Sequence, residues 1–205
     1  MMNGSRAIKA LLIAVAVMAP ADFGYGAPKP LVSMITGSVT SQPIGHYEFC
    51  QTYSGECAGS QADSGPMVLT EELWKAILDV NYTVNSSITP LTDMEIYGVE
   101  ERWTYPRSVG DCEDFVLLKR RKLMSAGFSA ADLLITVVRK PDGEGHAVLT
   151  VRTQSGDFIL DNLNDEVKLW NETRYTYLKR QASYDTGRWV TIENGNADVL
   201  VGALR

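Results

Sequence analysis

Three side chains of this sequence combine types that carry nucleophilic chemistry: Cys112, His146 and Asp161. Cys112 stands in Gly110-Asp111-Cys112-Glu113-Asp114-Phe115, where a helical apolar pattern begins. The macrodipole and free N–H groups of a helix start favour a thiolate there. The same N–H groups, that of Cys112 included, can hold a developing oxyanion. His146 opens one alternating stretch and Asp161 closes the next, and in an antiparallel meander those two ends lie side by side. A carboxylate beside His146 fixes its tautomer and stabilises the imidazolium formed when it takes the thiol proton. Singly, each residue has a plainer reading: a small buried thiol, an ordinary histidine, a strand-ending Asp-Asn pair. The combination points to acyl-enzyme chemistry.

The neighbours of Cys112 complicate that reading. Asp111, Glu113 and Asp114 are all acidic, and nearby anions disfavour ionisation of a thiol. A bound cation resolves the conflict, and calcium takes carboxylate oxygens in a shell of six to eight. These three acids would supply only part of that shell. They are equally the residues expected to cap a helix N-terminus, and both readings stand on residue type alone. Further along, Lys119-Arg120-Arg121-Lys122 is expected to be a solvated face complementing the negative helix end. Trp103 fits a groove wall or the oxyanion site no better than it fits packing.

The elements that must hold these residues follow from periodicity. Thr70 caps a helix whose apolar residues Leu73, Trp74, Ile77, Val80, Val84 and Ile88 recur at helical spacing until Pro90 stops it. A second helix runs from near Cys112 to Gly127, a left-handed C-cap. Then the period changes to that of strands. Residues 133–139, 146–152 and 157–161 read as an antiparallel meander, with further strands at 175–178 and 188–192. Residues 28–68 carry no sustained period and read as loop. Helices followed by sheet give an α+β fold.

Composition sets outer limits. With 205 residues, 45% hydrophobic and 21% charged, the chain has the make-up of one globular domain. Its 19 basic and 25 acidic side chains leave a net charge of -6, a poor match to nucleic-acid phosphate. Arg6 and Lys9, a short apolar run over residues 10–19 and the small residues after it have the layout of a secretory signal peptide. Residues 1–27 are therefore expected to be removed, leaving 28–205 as a single domain with no membrane span, periplasmic or secreted. Export makes a disulfide the expected state of Cys50 and Cys57, stabilising by about 2–3 kcal/mol in the chain-entropy model. Zinc at Cys50, Cys57 and His46 has an unusual ligand spacing, and two free thiols form the remaining alternative. Cys112 is left as the odd thiol.

The stretch from Tyr97 to about Ser183 resembles the bacterial transglutaminase-like cysteine proteinases. The residues that carry the resemblance are Tyr97-Gly98-Val99, Arg102-Trp103-Thr104-Tyr105-Pro106, Gly110-Asp111-Cys112-Glu113-Asp114-Phe115, Leu118-Lys119-Arg120, Gly145-His146-Ala147-Val148-Leu149 and Leu160-Asp161-Asn162-Leu163. Less specifically, Glu48-Phe49-Cys50 with Cys57 resembles the family's N-terminal segment. The resemblance implies a papain-like, transglutaminase-core fold with Cys112, His146 and Asp161 as triad. It also implies calcium held by Asp111 and Glu113, with Asp114 alongside. Members of the LapG type are periplasmic proteases that release large surface adhesins and are sequestered by an inner-membrane cyclic-di-GMP receptor. The resemblance extends that substrate and partner to this chain as expectations. The leading reading is an exported thiol endopeptidase. Acyl transfer or deamidation by the same triad, and a non-catalytic binding module, are the alternatives.

Overall fold

The computed structural model describes residue 1 and residues 32–57 and 63–195. The expected signal peptide lies outside the described residues. A seven-stranded antiparallel sheet with spatial order β1-β9-β8-β4-β5-β6-β7 forms the frame. Its strands are β1 (Thr36–Thr40), β4 (Leu133–Arg139), β5 (Gly145–Thr153), β6 (Gly156–Leu160), β7 (Lys168–Leu169), β8 (Thr176–Ala182) and β9 (Asp185–Ile192). The expected meander is β4-β5-β6. Pairing aligns Val138 with His146 and Leu149 with Leu160, which sets the start of β5 beside the end of β6.

Five α-helices accompany the sheet among the described residues: α1 (Ile44–Thr52), α2 (Ser54–Cys57), α3 (Glu71–Ser87), α4 (Asp93–Tyr97) and α5 (Cys112–Ser125). Thr70 caps α3, its hydroxyl accepting from the Leu73 N–H at 3.2 Å. The expected loop over 28–68 is corrected in part. It contributes β1 at the sheet edge and the helices α1 and α2, joined by the Cys50–Cys57 disulfide. Short, weakly amphipathic elements of this kind leave no readable period; they form because tertiary neighbours cover them.

Alternation along the central strands buries both faces. Leu133, Ile135, Leu149, Leu160 and Trp189 pack with Val116, Leu117 and Leu123 of α5 and Ile77 of α3. Val138, Val148, Ile159, Trp170 and Tyr177 pack with Met34 in a second cluster. Because α5 is held against both α3 and β5, most of its circumference is covered. The expectation of a solvated basic face fails there for half of its members. Lys119 and Arg120 are buried, and only Arg121 and Lys122 are exposed. Arg120 donates from Nε to the Leu133 carbonyl at 3.1 Å and pairs with Glu56.

A second, two-stranded parallel sheet joins β2 (Thr89–Pro90) to β3 (Val109–Gly110). It has a consequence larger than its size. It clips the chain between α3 and α4 onto the residues immediately before Cys112, with Leu91 N donating to the Gly110 carbonyl at 3.0 Å. Gly110 is required at this crossing, since a Cβ there would lie 2.7 Å from Asp114 Oδ2 and 3.1 Å from Pro106.

Candidate active site

Helix α5 begins at Cys112, so the thiol sits at the end where backbone N–H groups lack partners within the helix. It lines a cavity of about 260 Å³ together with His146, Asp111, Leu91 and Asn162. His146 Nε2 lies 2.8 Å from Asp161 Oδ1. Asp161 Oδ1 also accepts from the Leu163 N–H at 3.0 Å, and Oδ2 accepts from the Tyr175 hydroxyl at 2.6 Å. Burial alone would raise the Asp161 pKa. His146, Tyr175 and the Leu163 N–H outweigh it, and the carboxyl ends below its ordinary range. Nδ1 of His146 is left as the nitrogen not engaged by Asp161.

Burial and the Glu113 carboxylate push the Cys112 thiol well above its ordinary pKa, and only the Ala147 N–H among the main causes opposes them. The thiol donates to Glu113 Oε2 at 3.0 Å. The helix start therefore does not by itself produce a thiolate, because desolvation and an adjacent anion act on the sulfur more strongly.

Of the three acids singled out around Cys112, the structure groups Asp111 and Asp114 with a third that sequence reasoning missed, Asp93. One carboxylate oxygen from each of these three lies within 4.8 Å of the others. The β2–β3 pairing explains the meeting, since it carries the start of α4 to the start of α5. Glu113 lies outside that trio and faces both the thiol and Asp111. Some of these oxygens are satisfied: Asp114 Oδ1 accepts from Thr104 N at 2.9 Å, and Asp93 Oδ2 from Arg102 N. Asp93 Oδ1, Asp111 Oδ1 and Asp114 Oδ2 are buried without a hydrogen-bond partner.

Asp111 occupies the N-cap position of α5, yet its side chain makes no capping hydrogen bond. Burial, then Glu113, Asp93 and Asp114, push its carboxyl up to about 9; burial pushes Asp114 up to about 7. Three neighbouring carboxylates, each with a buried oxygen that lacks a hydrogen-bond partner, form a donor set that suits a hard cation such as calcium. Nothing in the sequence marked Asp93 except its place in the Thr92–Glu95 capping box. Tyr175 was likewise missed, and no local signal distinguishes it from the other tyrosines.

The remaining candidates are structural. His46 is buried against the disulfide, its Nδ1 3.7 Å from Cys50 Sγ and its Nε2 3.9 Å from Cys57 Sγ. The two sulfurs are bonded to each other, so neither is a thiolate for zinc. Burial, and then Arg120, lower His46 to about 4, leaving a neutral ring that accepts from Trp189 Nε1 at 3.2 Å. Trp103 packs edge-on against His46 and Trp189 and donates to Glu101 Oε1 at 2.5 Å.

Comparison with known proteins gives one family. The model of the bacterial transglutaminase-like cysteine proteinases (BTLCP) matches residues 36–197. Among solved structures, calcium-bound LapG of Legionella pneumophila is similar with a TM-score of 0.50 and 21% identity, over 80% of this chain and 93% of that one. EGTA-treated LapG of the same organism is similar with a TM-score of 0.50 and 24% identity, over 62% and 74%. At those identities the likeness speaks for the fold. A search of curated proteins found no match.

Proposed function

Starting from the premise that this chain belongs to the bacterial transglutaminase-like cysteine proteinase family and is a cysteine peptidase, we propose that it is an exported endopeptidase acting through Cys112, His146 and Asp161. The observation that carries the reading is the His146–Asp161 hydrogen bond at a cavity that Cys112 also lines. His146 Nδ1 takes the thiol proton, and the sulfur attacks the peptide carbonyl. The backbone N–H of Cys112 is the donor assigned to the developing oxyanion. His146 then returns the proton to the leaving amine, and water resolves the acyl-enzyme. Asp161 fixes the tautomer throughout and stays ionised.

Asp93, Asp111 and Asp114 would hold calcium, with Glu113 adjacent. When bound, that ion supplies positive charge that offsets the carboxylates at the start of α5. The similar Legionella pneumophila LapG with calcium bound supports the choice of calcium. Residues 1–27 direct export, and a large surface adhesin and an inner-membrane cyclic-di-GMP receptor are the substrate and partner extended from the family resemblance. Among the described residues no helix is long and apolar enough to cross a membrane.

The test is incubation with envelope proteins, with and without calcium, followed by mass mapping of new termini. New termini that vanish with Cys112→Ala support the reading. Products gaining an amine instead of water would reassign the enzyme to acyl transfer, and no product of either kind would sink both.

A further inference from the structure

Cys112 and Lys119 are seven residues apart on α5, two turns of one helix face. The face that presents the thiol at its start therefore carries a lysine further down. Lys119 is completely buried, and its Nζ has no hydrogen-bond partner. A lysine amine away from water needs acceptors or is strongly destabilising, and a side chain with no exposed surface cannot reach solvent with its head group. Its amine lies 5.9 Å from the centre of the Phe115 ring. The carboxylates of Asp161 and Asp165 act on it, and burial is the dominant influence, lowering it to about 7.

The same turn is gripped from the other side. Asn85 of α3 donates to the backbone carbonyl of Asp161 at 2.9 Å and to Asp165 Oδ1 at 2.8 Å. One helical turn earlier, Asn81, also completely buried, donates to the carbonyls of Asn164 and Asp165 at 3.2 and 3.0 Å. The amide oxygens of both asparagines are themselves buried without a donor. Helix α3 thus places two amides on residues 161–165, and α5, packed against α3, carries a buried amine that feels the charge of Asp161 and Asp165.

Building on the assignment of Asp161 to the catalytic unit, we propose that Lys119, Asn81 and Asn85 are positioning residues that hold the 161–165 turn, and through it the Asp161 carboxylate, in register with His146. Asp161 sits just past the end of β6, where the sheet ladder no longer fixes the backbone. The asparagine amides supply the hydrogen bonds the ladder does not, and the lysine amine, which makes no hydrogen bond, interacts with the Asp161 and Asp165 carboxylates through charge. None of the three touches the thiol or the substrate cavity, so their effect passes through Asp161.

The test uses full-length mature protein and hydrolysis of para-nitrophenyl acetate, followed as kcat and KM. Lys119→Met keeps the unbranched stem and removes the amine; Asn85→Ala removes the amide. Each is expected to lower kcat about tenfold with KM within about twofold. Placed on Asp161→Ala, the same changes are expected to add no further loss, because residues acting through one group are not additive. Unchanged kcat in Lys119→Met, whatever its melting temperature, overturns the proposal. Losses that multiply with that of Asp161→Ala overturn it as well. Near wild-type kcat in Asp161→Ala alone overturns the role of Asp161 itself, and that outcome is read without either positioning variant. If Asn85→Ala does not fold, Lys119→Met carries the test, since an apolar replacement of an unpartnered buried amine is compatible with the fold.

Discussion

Asp161 Oδ1 meets His146 at Nε2, 2.8 Å away, so the imidazole turns its Nδ1 away from the carboxylate. In the proposed mechanism that orientation commits one nitrogen to Asp161 and leaves the other for the thiol proton. The hydroxyl of Tyr175 holds the second oxygen of the same carboxylate at 2.6 Å. Asp161→Ala is expected to lower kcat by about 100-fold or more, as loss of the orienting acid does in triads. Tyr175→Phe leaves the first oxygen in place and is expected to have a smaller effect. Steady-state kinetics of both variants beside Cys112→Ala check the order.

The proposed calcium site links calcium binding to pH through Asp111. Burial and its acidic neighbours raise this carboxyl to about 9 in the folded chain. A raised carboxyl pKa means that the folded state favours the protonated form. Its contribution is therefore present below the unfolded value near 4 and is lost as pH rises toward about 9. Asp111→Asn is expected to raise the melting temperature of calcium-free protein at pH 8 and to change it little at pH 4. Calcium is expected to raise the wild-type melting temperature at pH 8 and to have little effect on the variant. Thermal melts at the two pH values, with chelator and with calcium, check both statements.

Gly110→Ala tests the crossing that gathers the acids. A Cβ at this position would lie 2.7 Å from Asp114 Oδ2 and 2.8 Å from Asp114 Cβ. Asp114 must shift, and its carboxylate is one of the three that converge. The expected outcome is a lower melting temperature together with weaker calcium binding by calorimetry. Calcium binding at the wild-type level would remove Asp114 from the cation site.

The disulfide predicts a labelling pattern. Iodoacetamide should modify Cys112 in oxidised protein while Cys50 and Cys57 stay protected, because their sulfurs are bonded to each other. The half-buried, protonated Cys112 thiol should label slowly at neutral pH, and Glu113→Gln should speed it by removing the adjacent anion. Replacing both Cys50 and Cys57 by Ala should lower stability by about 2–3 kcal/mol in denaturant titration. Labelling of all three cysteines without reductant would contradict the pairing.

Much of this protein is readable in its sequence because the relevant signals are local. Periodicity marked α3, α5 and the β4-β5-β6 meander, and side chains at helix starts and strand ends carry their roles with them. Thr70 caps α3, and Cys112 opens α5. The N-terminal elements stayed hidden because β1 and α1 have too little internal pattern and exist through what packs on them. Lys119 and Arg120 misled for a related reason: charge in a helix reads as solvated unless one knows that α3 and β5 cover that helix on two sides.

The sequence by itself determined the chemical types, a thiol, an imidazole and a carboxylate at the ends of regular elements, since element ends are set by short-range propensity and capping. Only the tertiary structure decided which distant groups join them. The β2–β3 pairing delivers Asp93 to Asp111 and Asp114, the connection from β7 to the start of β8 delivers Tyr175 to Asp161, and α3 delivers Asn81 and Asn85 to the turn that follows. Those meetings depend on long-range strand register and helix packing, which burial of the whole core fixes and no local stretch of residues encodes.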